Sequence, residues 1–203
     1  MNRASSVAIL VLLGAFGIGL SYLAQLNSAP RIAAEQRLID SRNLLDLLPH
    51  ASYDNQPLEQ PLTLQDTALG NSTLMAGYRA TKAGQPYAVL LRSQTLGYAG
   101  AIDLLIAIDA NARLIGVKTL KQAETPELGA RIADWPNAWL QSFTGKSRFD
   151  PDDKGWALKK DLGQFDQMAG ATITSRAVIN ATHDALRYFD EHRQQLLGSA
   201  GHE

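Results

Sequence analysis

The chain contains no cysteine. That excludes disulfides, iron–sulfur ligation by this chain and thiol catalysis, while leaving the compartment open, because cysteine-free chains suit cytosol and periplasm alike. No sign of charge dominates either: 19 Lys and Arg stand against 20 Asp and Glu, a net charge of -1. Nothing therefore argues for nucleic acid or an anionic surface as partner. The four histidines, His50, His183, His192 and His202, have neither metal-ligand spacing nor an obvious nucleophile around them. A hydrolase and a metal site are set aside on that ground, and His183 and His192, on a predicted helix, read as surface or packing residues. Internal repeats and low-complexity tracts are also missing. What remains is a chain of 203 residues, 45% of them hydrophobic, long enough for one globular domain with a sizeable core.

A local absence is more informative. Residues 4–30 carry no charge, and Val7 to Leu26 form a run of 20 mostly apolar residues. As a helix this run spans roughly 30 Å, the thickness of a bilayer core. It is long for the apolar region of a cleaved signal peptide, and the residues after it offer a poor cleavage site, so it reads as a retained anchor. Arg3 precedes the run, whereas Arg31, Arg37 and Arg42 follow it. Counted this way, the positive-inside rule leans toward a cytoplasmic domain. Ala15 and Gly19 make one small-xxx-small pair, which permits close approach of a second helix and is also ordinary in a membrane helix.

The expected architecture is α+β: an antiparallel sheet with flanking helices, preceded by one N-terminal transmembrane helix. Residues 1–30 form the anchor, 31–72 a helix and linker, and 73–203 the main domain. Ile32, Leu38, Ile39, Leu45 and Leu48 predict a helix over 31–48, stopped by Pro49. Residues 50–72 read as loop with one short strand at most. The pattern turns to β from Leu74, with strands predicted at 87–92, 102–109 and 114–120, a break at Gly97–Gly100, and a hairpin loop at Asp109–Arg113. Residues 130–142 are expected to be helical, with Ile132, Trp135 and Trp139 on one face, although Pro136 limits how that helix starts. Residues 145–155 read as loop. The clearest helix is 176–197, capped by Thr174 or Ser175, with Val178, Ala181, Ala185, Tyr188 and Phe189 as its apolar stripe.

Two segments carry chemistry. In Asp166–Ser175, Gly170 allows a tight turn and Thr172 follows it just before a helix. Helix N-terminal amides and the dipole favour an anion there, and Thr174 and Ser175 add hydroxyls. Lys159, Lys160 and Arg176 could supply positive charge if the fold brings them near. Read by itself, the segment also suits a plain helix cap. The second segment is Glu124-Thr125-Pro126-Glu127-Leu128-Gly129. Pro126 fixes φ and Gly129 permits a tight turn, giving a rigid loop whose amides, carboxyl and apolar side chain suit a flat heteroaromatic ring. It serves equally well as a surface turn into the next helix.

Together, in this order and spacing, the segments resemble the FMN-binding domain shared by the G subunit of Rnf electron-transport complexes and the C subunit of sodium-translocating NADH:quinone reductase. The resemblance covers roughly residues 75–195 and the anchor. Gly97-Tyr98-Ala99-Gly100-Ala101-Ile102 is similar to that family's glycine-rich lead into its strand pair. Glu124-Thr125-Pro126 with Leu128-Gly129 resembles its flavin-ring loop, and Asp166 with Gly170-Ala171-Thr172 its flavin-transfer motif. Three positions depart: Glu127 stands where the family usually has glycine, Ala169 where it has Ser or Thr, and Gln122 where histidine is common.

The resemblance implies an electron carrier with FMN joined by a phosphoester to Thr172, making a phosphoryl-threonine flavoprotein. Glu124, Thr125, Leu128, Gly129, Gly170, Ala171, Thr174 and Ser175 would line the cofactor. Asp166 would belong to the motif read by a separate flavin transferase, with no permanent metal in this chain. No residue of the chain is expected to be catalytic, because the flavin does the redox chemistry. The resemblance is strongest to the Rnf G subunit, which implies electron transport between ferredoxin and NAD coupled to ion transport. The other membrane and peripheral subunits would be its partners, and the enzyme would be an ion-translocating oxidoreductase that this chain does not complete alone. It also implies a single-pass protein of the bacterial inner membrane with its domain on the periplasmic side, against the charge count. The alternatives are the quinone-reductase C subunit and a non-redox, membrane-anchored assembly protein.

Overall fold

The computed structural model describes residues 46–49 and 51–198, together with Gly14 and Gly17. The chain divides into two units, Met1–Leu44 and Leu45–Glu203, and the second is described below. No helix among the described residues is long and apolar enough to cross a membrane. The span expected over 7–26 and the helix expected over 31–48, apart from its last turn, lie outside the described residues. Leu47 and Leu48 of that turn are buried, and Leu47 Cδ1 sits where a Cβ on Gly116 would come within 2.9 Å of it.

Five antiparallel strands form a simple meander, in the order β1 (Pro61–Leu62), β2 (Ser72–Lys82), β3 (Gln85–Leu96), β4 (Ala101–Asp109) and β5 (Leu114–Lys121). Residues 51–71 are thus loop, one short 3-10 turn at Pro57–Glu59, and the two-residue β1, and Ser72 already belongs to β2. Period-two side-chain alternation explains the layering. Val89 and Leu91 on β3 face the same way as Ile102, Leu104, Ile106 and Ile108 on β4, and Val89 pairs with Ile108 and Leu91 with Ile106. The opposite face carries Leu90, Leu105 and Ala107, all fully buried. There Asp103 accepts hydrogen bonds from Arg92 and Gln94, each at 2.8 Å. Burial alone would raise the Asp103 pKa, but those two bonds and the charges of Arg92 and Lys121 hold it below the ordinary value.

Turn chemistry fixes the register. The β2–β3 hairpin turns on Ala83 and Gly84, both with positive φ (50° and 75°), as a two-residue hairpin of matching twist requires. At the β4–β5 turn, Asp109 Oδ1 accepts from the amides of Asn111 and Arg113 at 2.8 and 2.9 Å. The three predicted strands are present, each extended by one or more residues, and β2 joins them as a long bulged partner.

The helical layer departs from expectation in two places. The helix expected over 130–142 is two short pieces, a 3-10 turn at Gly129–Ala133 and the helix α1 at Ala138–Gln141. Pro136 has no amide to donate and disfavours helical backbone at Trp135, so the chain restarts at Asn137, whose side chain caps α1 through Leu140 N at 2.9 Å. Ile132 is buried while Trp135 is 44% exposed, so the two do not share a face. The long helix α2 runs Thr172–Glu191, four residues earlier than expected, and a separate short helix α3 spans Arg193–Leu197. The N-cap of α2 is Ala171, with no side-chain cap. Thr174 and Ser175 lie inside the helix: Ser175 N already donates to the Ala171 carbonyl at 2.9 Å, and neither hydroxyl caps a first-turn amide. At the other end His192 stacks on Tyr188 with ring centroids 4.1 Å apart, and its Nδ1 lies 3.0 Å from the Tyr188 carbonyl.

The expected stripe of α2 is buried against the sheet, with Val178, Ala181, Ala185 and Phe189 fully so. Each large apolar side chain buried in this way contributes about 1.5–3 kcal/mol. The packing sets α2 with its N-terminus beside the end of the sheet where β3 stops, β4 starts and β5 stops. Three loops meet there: 97–100, 122–128 and 166–171.

Candidate functional site

At this meeting point lies a cavity of about 550 Å³ lined by Tyr98, Glu124, Thr125, Leu128, Gly129 and the run from Gly170 to Thr174. Its size falls within the roughly 300–1,000 Å³ usual for a small-molecule or cofactor pocket.

Glu124 organises the walls. It is 6% exposed, and its Oε1 accepts from Ala99 N at 3.0 Å while its Oε2 accepts from the Thr174 hydroxyl. One side chain thus ties the β3–β4 loop, the β5 exit loop and the first turn of α2. Two glycines make room for it. A Cβ on Gly97 would collide with Glu124 Oε1, and one on Gly129 would lie 2.7 Å from both Glu124 Oε2 and Thr174 Oγ1. A third glycine, Gly170, has φ 71°, and a Cβ there would lie 2.7 Å from Leu128 Cδ2. Leu128 therefore docks the 124–129 segment onto the turn that begins α2. Between these anchors, Glu127 takes φ 62°, a left-handed conformation that glycine adopts without penalty. That is the position where the resembled family usually has glycine.

Thr172 is the first residue of α2 and is partly exposed. Its hydroxyl donates to Gln167 Oε1 at 2.9 Å and accepts from Lys160 Nζ at 3.0 Å. Free first-turn amides of an α-helix and the helix dipole give this end a positive field. Tyr98, Leu128 and Ile173 are 70%, 41% and 48% exposed, so the cavity has apolar walls beside a polar, positively biased end. That combination fits a phosphorylated aromatic cofactor such as FMN.

Of the expected site residues, Glu124, Thr125, Leu128, Gly129, Gly170, Ala171, Thr172 and Thr174 line this one cavity. Two stand apart from it. Ser175 is fully buried beneath the turn, donating to the Ala171 carbonyl at 2.8 Å and accepting from Met168 N at 3.0 Å. Asp166 is exposed and pairs with Lys159 at 2.7 Å, while its carbonyl accepts from Trp139 Nε1 at 2.7 Å. Among the described residues no cluster of His, Cys, Asp and Glu could hold a metal ion. Sequence reasoning missed Gln167 and the wall positions Tyr98 and Ile173. All three sit within or beside the quoted motifs, but their direction depends on the loop path.

The arrangement defines a class before it defines a protein: an antiparallel meander whose one end, closed by a helix N-terminus, presents an FMN-type pocket. A sequence profile of the FMN-binding domain matches residues 97–187. The chain is 47% identical over 210 residues to the G subunit of the ion-translocating oxidoreductase complex of Pseudomonas aeruginosa (strain UCBPP-PA14), covering 100% of this chain and 98% of that protein. It is 40% identical over 169 residues to the protein of the same name from Shewanella loihica, covering 82% and 80%. Among solved structures, the C subunit of the Na(+)-translocating NADH-quinone reductase from Parabacteroides distasonis matches with 25% identity and a TM-score of 0.46, over 57% of this chain and 61% of that one. The chain belongs to the family of ion-translocating oxidoreductase complex G subunits.

Proposed function

We propose that this chain is the electron-carrying G subunit of a membrane-bound Rnf-type complex, with FMN attached through a phosphoester to Thr172 Oγ1. The observation that carries the reading is the position of Thr172. The first residue of α2, it lines a cavity walled by two sequence-distant loops, and its hydroxyl is held by Gln167 and Lys160. Bound there, FMN supplies one- and two-electron redox chemistry. The protein's own part is to tether and position it. Thr172 holds the phosphate end, the first-turn amides of α2 offset its charge, Leu128, Tyr98 and Ile173 shield the ring from water, and Glu124 holds the loops that carry those side chains in place.

The wider reading follows the family. The domain, residues 73–203, lies on the periplasmic side of a bacterial inner membrane, anchored by residues 1–30 and joined through 31–72. It passes electrons among cofactors of neighbouring subunits in a complex that links ferredoxin, NAD and ion movement. A flavin transferase reads the segment around Asp166 during maturation. An in-gel test addresses the attachment: a denaturing gel of the chain co-expressed with a competent transferase, viewed under ultraviolet light. A fluorescent band that vanishes in Thr172→Ala is expected. A wild-type band without fluorescence would favour the non-redox assembly reading.

A further inference from the structure

Three cations surround the start of α2, and they are not equivalent. Lys159 Nζ is 2.7 Å from Asp166 Oδ2, and Arg176 reaches Asp161 Oδ2 at 2.7 and 3.1 Å. Lys160 has no carboxylate within 4.0 Å among the described residues, and its polar contact is the Thr172 hydroxyl. We propose that Lys160 is the charge partner of the phosphate joined at Thr172, and that Gln167 orients the Thr172 hydroxyl before attachment and donates to the phosphate after it. This rests on the reading of Thr172 as the attachment residue.

The backbone that carries Lys160 is held firmly. Lys159 N donates to Phe165 O at 2.8 Å and Gly163 N to Leu158 O at 2.9 Å, with Leu158 buried. Gly163 packs so closely on the Ala157 backbone that any Cβ would collide with it. The lysine stem therefore starts from a fixed loop and points its ammonium at one oxygen. A bond from an exposed ammonium to a neutral hydroxyl contributes little stability, so folding alone gives it no strong rationale. A phosphodiester at that oxygen carries one negative charge, which Lys160 matches. Lys159 and Arg176 are already compensated by their own carboxylates.

Gln167 complements this. Before attachment its Oε1 accepts the Thr172 proton. Attachment removes that proton, and a half-turn of the amide then presents Nε2 as a donor to a phosphate oxygen. Glutamate could do the first and would repel the product of the second. In the step itself, Thr172 Oγ1 bonds the flavin-side phosphorus of flavin adenine dinucleotide and the phosphoanhydride bond opens. AMP leaves with the bridging oxygen, and the hydroxyl proton passes to water. Nothing is oxidised or reduced.

The test is the initial rate of flavin transfer to the purified full-length chain, given a flavin transferase and flavin adenine dinucleotide, followed by mass shift. Lys160→Met is expected to lower kcat/KM by about tenfold, the size of one charge-assisted contact at an exposed site. Lys160→Arg should restore most of it, and Gln167→Glu should be slower than Gln167→Leu. Added salt should slow the wild type more than Lys160→Met, because screening acts on the charge that the variant lacks. A structural role would give neither rescue by arginine nor a charge-specific salt response. Wild-type rates in Lys160→Met, or equal salt dependence, would overturn this inference alone. No transfer to the wild-type chain would overturn it together with the attachment reading.

Discussion

Glu124→Ala should be among the most costly single changes near the cavity, and its cost can be worked from the contacts. The substitution strands one buried donor, the Thr174 hydroxyl, and removes the acceptor of the Ala99 amide, whose residue is exposed and can turn to water. Each buried donor left without an acceptor costs about 1–3 kcal/mol. The loss is partly offset, because a buried carboxyl is itself expensive to desolvate. The net expectation is about 1–3 kcal/mol of destabilisation. Glu124→Gln is the control. Its amide oxygen can accept from Ala99 N while its NH₂ donates to Thr174 Oγ1, so it should cost only about 1 kcal/mol. Urea denaturation of the full-length chain, followed by tryptophan fluorescence, measures both, with Trp139 and Trp156 packed at the core. Combining Glu124→Ala with Thr174→Val closes a double-mutant cycle, whose coupling should be about 1–2 kcal/mol. Glu124→Ala within about 0.5 kcal/mol of wild type would refute the argument that this carboxyl ties the three loops.

Gly170→Ala combines a left-handed backbone with a collision against Leu128 and should destabilise by about 2 kcal/mol, read as a fall in Tm. Glu127→Gly should go the other way. Relief of the left-handed strain at φ 62° outweighs the added freedom of the unfolded chain, for a net gain of about 0.5 kcal/mol and a Tm rise of about 1–2 °C. The third prediction concerns pH. Burial against Trp156, with ring centroids 5.1 Å apart, pushes the His183 pKa below its ordinary 6.5, Asp153 opposes that shift and Arg187 adds to it. The unfolded chain therefore binds the proton more readily than the folded one. This contribution is complete above about pH 6.5 and is lost as pH falls from there through the folded value. Denaturation midpoints across that window should fall for the wild type and flatten in His183→Phe; an unchanged slope in the variant would contradict the assignment.

Much of this architecture was legible because its signals are local. The β3 and β4 strands carry near-continuous apolar runs and β5 a shorter mixed one, each bounded by turn residues, and Asp109–Arg113 has turn chemistry. The apolar stripe of α2, Val178 to Phe189, repeats over about three turns. The helix over 130–142 misled because Ile132, Trp135 and Trp139 have helical spacing, while the break depends on Pro136 and the cap at Asn137. In β2, strand character was read only as a general trend from Leu74. Its hairpin turn uses Ala83 at positive φ, where sequence patterns favour Asn, Asp or Gly. The cavity was legible in membership and not in shape. The glycines at 97, 129 and 170 were visible as turn residues, but the side chain each one accommodates comes from another loop. A Glu124 that bonds the 97–100 loop and α2 together cannot be inferred from the spacing of either.

The four-residue shift in where α2 begins has a chemical consequence. With the helix starting near Ser175, Thr172, Thr174 and Ser175 would all be loop or cap hydroxyls competing for one anion. Starting at Thr172, they occupy the first, third and fourth helical positions, and about 100° of rotation per residue separates their directions. Thr174 turns inward to Glu124, and Ser175 turns beneath the loop to Ala171 and Met168. Both hydroxyls are buried and committed to the fold. Thr172 lines the cavity, with its oxygen held between Gln167 and Lys160. Helical geometry thus divides three similar side chains into two committed to the interior and one whose hydroxyl meets only the exposed side chains Gln167 and Lys160. Thr174→Val should accordingly lower stability while leaving the Thr172 oxygen in place. Thr172→Val should leave stability nearly unchanged and remove that oxygen altogether. Thermal melts of the two variants, run beside the in-gel flavin assay, separate the roles: loss of stability in Thr172→Val with none in Thr174→Val would reverse the assignment.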